Sequence, residues 1–296
     1  MPRNAPDSPP NVPSPRYQTD APGLARVASN VRLTPEGVAE IRHLVLDLSG
    51  LDYAYREGQS LGIIIPGVED RGHASTVRFY SIASSRGGEA GQEGLVAICV
   101  KRVMVEDPEA GTLRGSPSSE FLCNARPGDE IAVTGPFGRS FVLPDDPRSN
   151  LILAATGTGV SPFRGFLRHL FVERGDWQGQ VRLFEGARSL GECLYRGEFD
   201  AYRRDHPNFR VSYALSREED APGGARMYVH HRMEEQLEEV WALLDRQETF
   251  LYICGIKGME DHIEGVLRQR ADRDGISWSD FRRVLQDSGR LLIETY

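Results

Sequence analysis

Lysine is nearly missing from this chain. Of its 35 basic residues only Lys101 and Lys257 are lysine; the rest are arginine. A basic excess is missing too, since 35 Lys+Arg face 43 Asp+Glu for a formal net charge of −8. Residues 1–145 (14 basic, 18 acidic) and 146–296 (21 basic, 25 acidic) share the deficit, so neither half has the charge of a nucleic-acid binder. Cysteine is sparse and scattered. Cys99, Cys123, Cys193 and Cys254 form no CxxC pair, which argues against a structural zinc or a cysteine-held iron–sulfur cluster, and no metal is expected. No apolar run approaches the ~18 residues that a membrane-crossing helix needs. The first residues lack a basic-then-apolar signal, and with scattered thiols this makes a reducing compartment, the cytoplasm, the expectation.

What is present divides in two. A length of 296 residues suggests two domains, each able to bury a core. Residues 1–22 are rich in Pro, Ser, Asn and Asp and read as a disordered tail. Residues 23–146 hold short alternating apolar runs at Ala25–Leu33, Ile41–Leu48, Ser60–Ile65, Arg78–Ala83, Leu95–Val103 and Glu130–Val133. Separated by Gly, Pro and Asp clusters, they predict an antiparallel β-barrel or sandwich. A short helix at Ser119–Leu122 and a turn at Arg126–Asp129 complete this half. The period changes in residues 147–296, after a Pro- and charge-rich boundary near Pro144–Asn150. Strands at Leu151–Ala155, Val181–Glu185, Arg210–Leu215, Phe250–Cys254 and Leu291–Glu294 alternate with helices beginning near Pro162, Gly191, Val229, Met259 and Ser279. That alternation predicts a doubly wound sheet of five parallel strands.

The most informative stretch is LILAATGTGVSPFR, Leu151–Arg164. An apolar strand runs into Thr156-Gly157-Thr158-Gly159, and Ser161-Pro162 open a helix. Glycine lets backbone amides approach a bulky anion, and a helix N-terminus adds unpaired N–H donors, the make-up of a pyrophosphate cradle. A plain tight turn has the same composition, and it is the helix–strand alternation downstream that favours the cradle. In the first half, Arg78-Phe79-Tyr80-Ser81 puts Arg78, Tyr80 and Ile82 on one strand face and Phe79 and Ser81 on the other. An arginine, a ring and a hydroxyl suit a phosphate, a flat ring and a ring nitrogen, while a packed barrel strand explains them equally. Ser216-Arg217 and Arg226-Met227-Tyr228 form a second group, either a phosphate reader with a stacking ring or a solvated charged loop. Glu185 ends the second parallel strand, where NAD-binding folds place an acid on the ribose 2′-hydroxyl, and is the argument for NADH. Cys254, a lone cysteine at a strand end, reads as a small hydrophobe.

Several of these motifs together resemble the plant-type ferredoxin–NADP(+) reductase family. RFYSIASS at 78–85, AICVKRV at 97–103 and TGPFG at 134–138 are similar to its flavin domain. ATGTGVSPFRGFL, ALSREED, RMYVHHRM, YICGIKGME and the terminal Ile-Glu-Thr-Tyr are similar to its nucleotide domain. The resemblance runs from about residue 25 to the last residue. It implies an antiparallel β-barrel binding FAD, followed by a Rossmann-like α/β domain binding NADP(H).

By matching positions, Arg78 would pair with the flavin pyrophosphate, Tyr80 would lie on one flavin face and Ser81 would hydrogen-bond near N5. Cys99 and Lys101 fall in the family's CVKR motif close to the flavin, and Ser116-Pro117-Ser118-Ser119 occupies its phosphate turn. Pro117 and Ser118 stand where plant members have valine and cysteine, and Val105 stands where an adenine-stacking tyrosine is expected. Thr156-Gly157-Thr158-Gly159 would hold the nucleotide pyrophosphate. Ser216, Arg217, Arg226 (a lysine in the family) and Tyr228 would read the 2′-phosphate and adenine of NADP(H). Gly255, Lys257 and Met259 belong to the nicotinamide-side motif, where Cys254 would position the ring without acting as a nucleophile. Glu294 would hydrogen-bond near the flavin–nicotinamide contact, and Tyr296 would stack on the second flavin face as a gate. The implied activity is electron transfer between NADP(H) and an external one-electron carrier, ferredoxin or flavodoxin. Its alternatives are a reductase for an oxygenase or other acceptor, an NADH-preferring diaphorase, and a non-catalytic flavin- or nucleotide-binding module. A docking patch for an acidic carrier is sought in Arg139, Arg282, Arg283 and Arg290.

Overall fold

The computed structural model describes residues 11–70, 73–106 and 111–296. Its first half contains β1 (Gly23–Arg32), β2 (Ile41–Asp47), β3 (Ser60–Asp70), β4 (His73–Ser81), β5 (Leu95–Lys101), a small hairpin of β6 (Met104–Glu106) and β7 (Leu113–Gly115), α1 (Pro117–Cys123) and β8 (Glu130–Phe137). Six of these strands form one antiparallel sheet in the order β4-β3-β8-β1-β2-β5. An Ile82–Ile98 bridge and an Ala83 N–H bond to the Ala97 carbonyl (2.8 Å) bring its two edges together into a barrel. Alternation explains the filling: Leu44, Leu46, Leu61, Ile63, Ile98, Ile131 and Val133 point inward, and Leu122 and Cys123 of α1 pack against the same core.

The second half contains β9 (Asn150–Thr156), α2 (Ser161–Arg168), β10 (Val181–Ala187), α3 (Arg196–Asp205), β11 (Phe209–Leu215), the two-residue strands β12 (Asp220–Ala221) and β13 (Ala225–Arg226), α4 (Val229–Glu234), α5 (Leu237–Leu244), β14 (Thr249–Gly255), α6 (Met259–Arg273), α7 (Trp278–Asp287) and β15 (Leu291–Thr295). Five strands form an all-parallel sheet ordered β11-β10-β9-β14-β15. Both faces are covered, which is why each strand reads as a nearly continuous apolar run. Phe163, Phe166, Leu167 and Phe199 cover one face, and Met233, Val240, Ile263 and Leu267 cover the other. No described helix is long and apolar enough to cross a membrane.

Two expectations change. The helix expected near Gly191 begins at Arg196, because residues 190–192 make a short 3-10 turn and Tyr195 takes a left-handed backbone. Residues 1–10 of the expected disordered tail lie outside the described residues, but residues 11–22 are tied to the barrel. Tyr17 stacks on Tyr53 at 6.2 Å, its hydroxyl accepts the Asp52 N–H, and the Arg16 amide donates to Gly135 O at 2.9 Å. Composition averages hide one well-placed aromatic.

The two halves share a core. Ile41, Cys99, Phe141 and Leu143 from the barrel side and the connection belong to the same buried cluster as Phe163, Phe166 and Tyr252. The Tyr252 hydroxyl donates to Val142 O at 2.7 Å. Beside this apolar seam the buried Arg164 guanidinium binds Glu89 through both oxygens (2.7 and 2.8 Å), donates to Ala83 O and Glu198, and lies 4.6 Å over the Tyr195 ring. Burial alone would raise the Glu89 carboxyl, but hydrogen bonds from Arg164 and His43 hold it far below the usual carboxylate range.

Replacing Glu89 by Gln leaves the Arg164 charge buried with only Glu198 against it, and is expected to cost about 2 to 3 kcal/mol in urea unfolding at pH 7. A carboxyl depressed in the folded state stabilises above its unfolded value of ~4.3 and loses that contribution as pH falls. The gap between wild type and Glu89→Gln should therefore begin to narrow below about pH 4 and go on narrowing as pH falls further; a gap that is constant with pH contradicts the pairing.

Candidate active site

In the parallel sheet the connections run one way from β9 to β10 and β11, and the other way to β14 and β15. The crevice at the carboxyl ends of β9 and β14 is therefore the topological switch point, where open α/β sheets take their ligands. Both strand ends carry the motifs picked out in the sequence. After β9, residues 157–160 form a 3-10 turn and α2 starts at Ser161, with Pro162 in its first turn. After β14 come Gly255-Ile256-Lys257-Gly258 and then α6 at Met259.

The two loops touch, and glycine allows it. A Cβ on Gly159 would lie 2.2 Å from Cys254 O, and one on Gly255 would lie 2.1 Å from the Thr156 hydroxyl oxygen, at a backbone φ of +152°. Thr156 completes the contact: its Oγ1 accepts the Ile256 N–H at 3.0 Å and donates to the Met259 sulfur at 3.4 Å. The terminal residue lies across both loops. Tyr296 donates its amide to Gly255 O (2.9 Å) and accepts the Lys257 N–H (3.3 Å), and its hydroxyl pairs with Thr158 Oγ1 at 2.6 Å. The residue is otherwise 60% exposed.

Cys254 and Glu294 are register partners in β14 and β15. The thiol is buried and pushed up, first by burial and then by the Glu294 charge, so it is not a thiolate at neutral pH. Burial raises the Glu294 carboxyl to about 7.

On the barrel side, Tyr80 is half-buried against the barrel core, its hydroxyl pushed up to about 12 by burial with Cys123 of α1 adding to it. Ser81 is half-buried and pairs with Ser60 across β3. Arg78 is exposed and donates to Thr76 Oγ1 at 2.7 Å. The expected face division holds only in part, since Phe79 and Arg78 are both exposed while Ile82 is wholly buried. Phe79 meets Phe137 edge to face at 4.9 Å, an exposed aromatic pair that the sequence reading did not single out. Lys101 is exposed at the end of β5.

The turn Ser116-Pro117-Ser118-Ser119 opens α1, and the amides of Ser118 and Ser119 have no partner among the described residues. The Ser119 hydroxyl is engaged within the turn. It is buried, accepts the Val103 N–H at 3.0 Å and pairs with Ser116 Oγ at 2.9 Å, so it fixes the turn and only its amide is left for an anion. Cys99 differs from expectation. Its thiol sits in the core shared by the halves, 2.8 Å from the Tyr195 hydroxyl, because a small side chain there lets Tyr195 close over β5. Val105 lies in the β6–β7 hairpin opposite Arg114, with no aromatic in its place.

Ser216 and Arg217 follow β11, their amides held by the carbonyls of Ala187 (3.0 Å) and Arg188 (2.8 Å). Arg226 lies opposite Asp220 in the β12–β13 hairpin. Tyr228 caps α4, half exposed, and stacks toward His230, which stacks in turn on His262 at 4.9 Å. Two of the loop's three acids are engaged, Glu218 by the Leu190 N–H and Glu219 by Arg232, while Asp220 lies opposite Arg226 in the hairpin. Among the described residues the Arg217 and Arg226 guanidiniums have no partner. Exposed arginines near Tyr228 in sequence suit either reading, a phosphate reader or a solvated charged loop.

Two further expectations fall. Glu185 does not face a ribose: it is 1% exposed, accepts the Leu194 N–H at 2.8 Å, and is raised to about 8 by burial, so it is largely uncharged at pH 7. The strand runs on to Ala187, so Glu185 lies two residues before its end, and the sequence did not show that it faces the protein interior. Arg290 cannot belong to a docking patch, being buried with its guanidinium on the carbonyls of Arg246 and Thr249. Arg282 and Arg283 are paired with Glu264 and Asp280, and Arg139 donates to Ser14. Among the described residues Glu57, His169 and Glu173 have metal-like spacing. Arg86 bonds both Glu57 oxygens and Ser85 binds Glu173, so the group acts as an ion network on the seam.

Glu294 gives a measurable signature. An acid raised in the folded state contributes stability below its unfolded value and loses it as pH rises through about 7. Glu294→Gln should match wild type in urea unfolding near pH 4 and exceed it at pH 8; equal stability at both pH values contradicts the burial.

Comparison with known proteins places this arrangement. A family model described as an oxidoreductase NAD-binding domain matches residues 153–265. Ferredoxin–NADP reductase of Synechocystis sp. is 38% identical, over 99% of this chain and 71% of that protein. The chloroplastic leaf isozyme 1 of Oryza sativa subsp. indica is 38% identical over 95% of this chain and 78% of its own, and the Spirulina enzyme 37% over 97% and 99%. A solved Plasmodium falciparum ferredoxin–NADP+ reductase superposes with a TM-score of 0.76 at 26% identity, covering 97% of this chain and 100% of that one. With a barrel, a switch-point crevice and full-length likeness agreeing, the chain belongs to the ferredoxin–NADP reductase family.

Proposed function

We infer that this protein is a flavoenzyme that moves electrons between NADP(H), as a hydride, and a one-electron carrier such as ferredoxin or flavodoxin, with FAD bound between barrel and sheet. The observation that carries the reading is the shelf made by Thr156–Gly159, Gly255–Lys257 and Tyr296 at the switch point. We take 23–146 as the flavin-binding domain and 147–296 as the nucleotide-binding domain.

The residues suit FAD. Unpaired amides of Ser118 and Ser119 and the exposed guanidinium of Arg78 provide donors for a pyrophosphate, and half-buried Tyr80 offers a ring face. FAD, when bound, supplies the exchange of a hydride for single electrons. The chain supplies geometry and charge. Tyr80 supports one flavin face, and Ser81 offers a hydrogen bond near N5. Tyr296 covers the other face and yields to the nicotinamide. Gly157 and Gly159 bring no side chain to the pyrophosphate path, with Lys257 and Met259 lining the loop opposite. Arg217, Arg226, Ser216 and Tyr228 receive the 2′-phosphate and adenine. Cys254, uncharged, limits how deep the nicotinamide sinks. Glu294, near half-ionised at neutral pH, can hold a proton on its carboxyl beside the reacting rings.

NADPH is favoured over NADH, since the one acid that pointed to NADH is buried and bonded within the protein. A cytoplasmic location is supported by four unpaired cysteines.

Two outcomes test this reading. Purified ferredoxin should be reduced by NADPH in the presence of the FAD-loaded protein; reduction of small dyes without reduction of ferredoxin or flavodoxin would assign another acceptor. Tyr296→Ser removes the ring that the nicotinamide must displace, so NADP+ affinity by calorimetry should tighten by about tenfold or more. Unchanged affinity would mean that Tyr296 does not occupy the nicotinamide position.

A further inference from the structure

Most arginines of this acidic chain are neutralised by a neighbour, as Arg182 is by Glu239, Arg232 by Glu219 and Arg270 by Glu238. Arg188 is not. It directly follows β10, is exposed, and its guanidinium has no partner among the described residues. The nearby acids are turned away: Glu218 accepts the Leu190 N–H at 2.9 Å, and Glu192 the Ser189 hydroxyl at 3.2 Å.

Its position is fixed by the sheet. β10 and β11 run parallel with Ala187 opposite Leu215, and the Arg188 carbonyl accepts the Arg217 N–H at 2.8 Å. Extending the register by one residue sets Arg188 beside Ser216, and paired residues of parallel strands share a face. Arg188 therefore stands at the carboxyl end of the sheet next to Ser216 and Arg217, on the side where ligands bind.

We propose that Arg188 is a third guanidinium for the 2′-phosphate of NADP(H), acting with Arg217 and Arg226 to set preference for NADPH over NADH. The inference rests on the nucleotide site proposed above. Arg188 and Arg217 follow adjacent parallel strands and Arg226 lies in the β12–β13 hairpin after them, and a dianionic phosphate among them takes forked hydrogen bonds from guanidiniums. NADH, with a hydroxyl at that position, gives Arg188 no anion.

The test uses Arg188→Ala and Arg188→Lys, with Arg217→Ala as reference, in FAD-loaded protein. Titration calorimetry with 2′,5′-ADP reads binding directly, and the ratio of kcat/KM for NADPH to that for NADH reads preference. Arg188→Ala should weaken 2′,5′-ADP binding about tenfold and lower the ratio by a similar factor, with Arg188→Lys in between. If Arg217→Ala lowers the ratio and Arg188→Ala does not, the site stands and the role of Arg188 is overturned. Equal loss of NADPH and NADH efficiency in Arg188→Ala also overturns it, because the residue would then serve a part common to both nucleotides. If neither variant moves binding or ratio, the placement of the 2′-phosphate itself fails.

Discussion

Hydride transfer needs two flat rings held face to face, and here each ring is assigned to a different sheet. Everything at the site therefore depends on the seam that locks barrel to parallel sheet. Phe141, Phe163, Phe166 and Tyr252 make it apolar, with ring centroids 5.2 to 6.2 Å from Phe141. The buried Arg164, bonded to Glu89 across the seam, makes it directional. Apolar packing alone tolerates sliding; a forked ion pair out of water does not, because a small shift leaves a charge unpaired. Tyr195, with its hydroxyl between His43 and Cys99, adds hydrogen bonds to the same boundary.

Charge is distributed to match. Inside the seam nearly every acid has a basic partner, and Glu185, which lacks one, is neutralised by proton uptake instead. At the outer edge of the parallel sheet the order is reversed. Glu218 binds a backbone amide and Glu219 binds Arg232, and the guanidiniums of Arg217 and Arg226 have no partner among the described residues. A net charge of −8 thus coexists with exposed arginines that have no partner among the described residues. Whole-chain charge excluded nucleic acid as a partner but could not locate this contrast.

Most of the fold was legible because each half obeys a single period. Alternating runs marked the six barrel strands, and unbroken apolar runs marked the five parallel ones to within a residue or two. The crevice was legible as well, since glycine after a strand signals close backbone approach, and Gly159 and Gly255 turned out to face one another. What stayed hidden was side-chain direction. Glu185 stands where a ribose ligand would be, yet points inward to the Leu194 amide. Arg290 looked like surface charge but holds the carbonyls of Arg246 and of Thr249 at the start of β14. Cys99 and the Ser119 hydroxyl belong to motifs near the flavin site, though each is used internally. Pairing across about a hundred residues, as between Cys99 and Tyr195, leaves no periodic trace in sequence.

The most direct measurement of the central claim is an anaerobic titration of the FAD-loaded protein with NADPH, followed at the flavin absorbance. The expected result is loss of the yellow band at equimolar nucleotide, faster than with NADH at the same concentration. A protein that stays colourless after FAD is added, or a bound flavin that keeps its colour under excess NADPH, would contradict it.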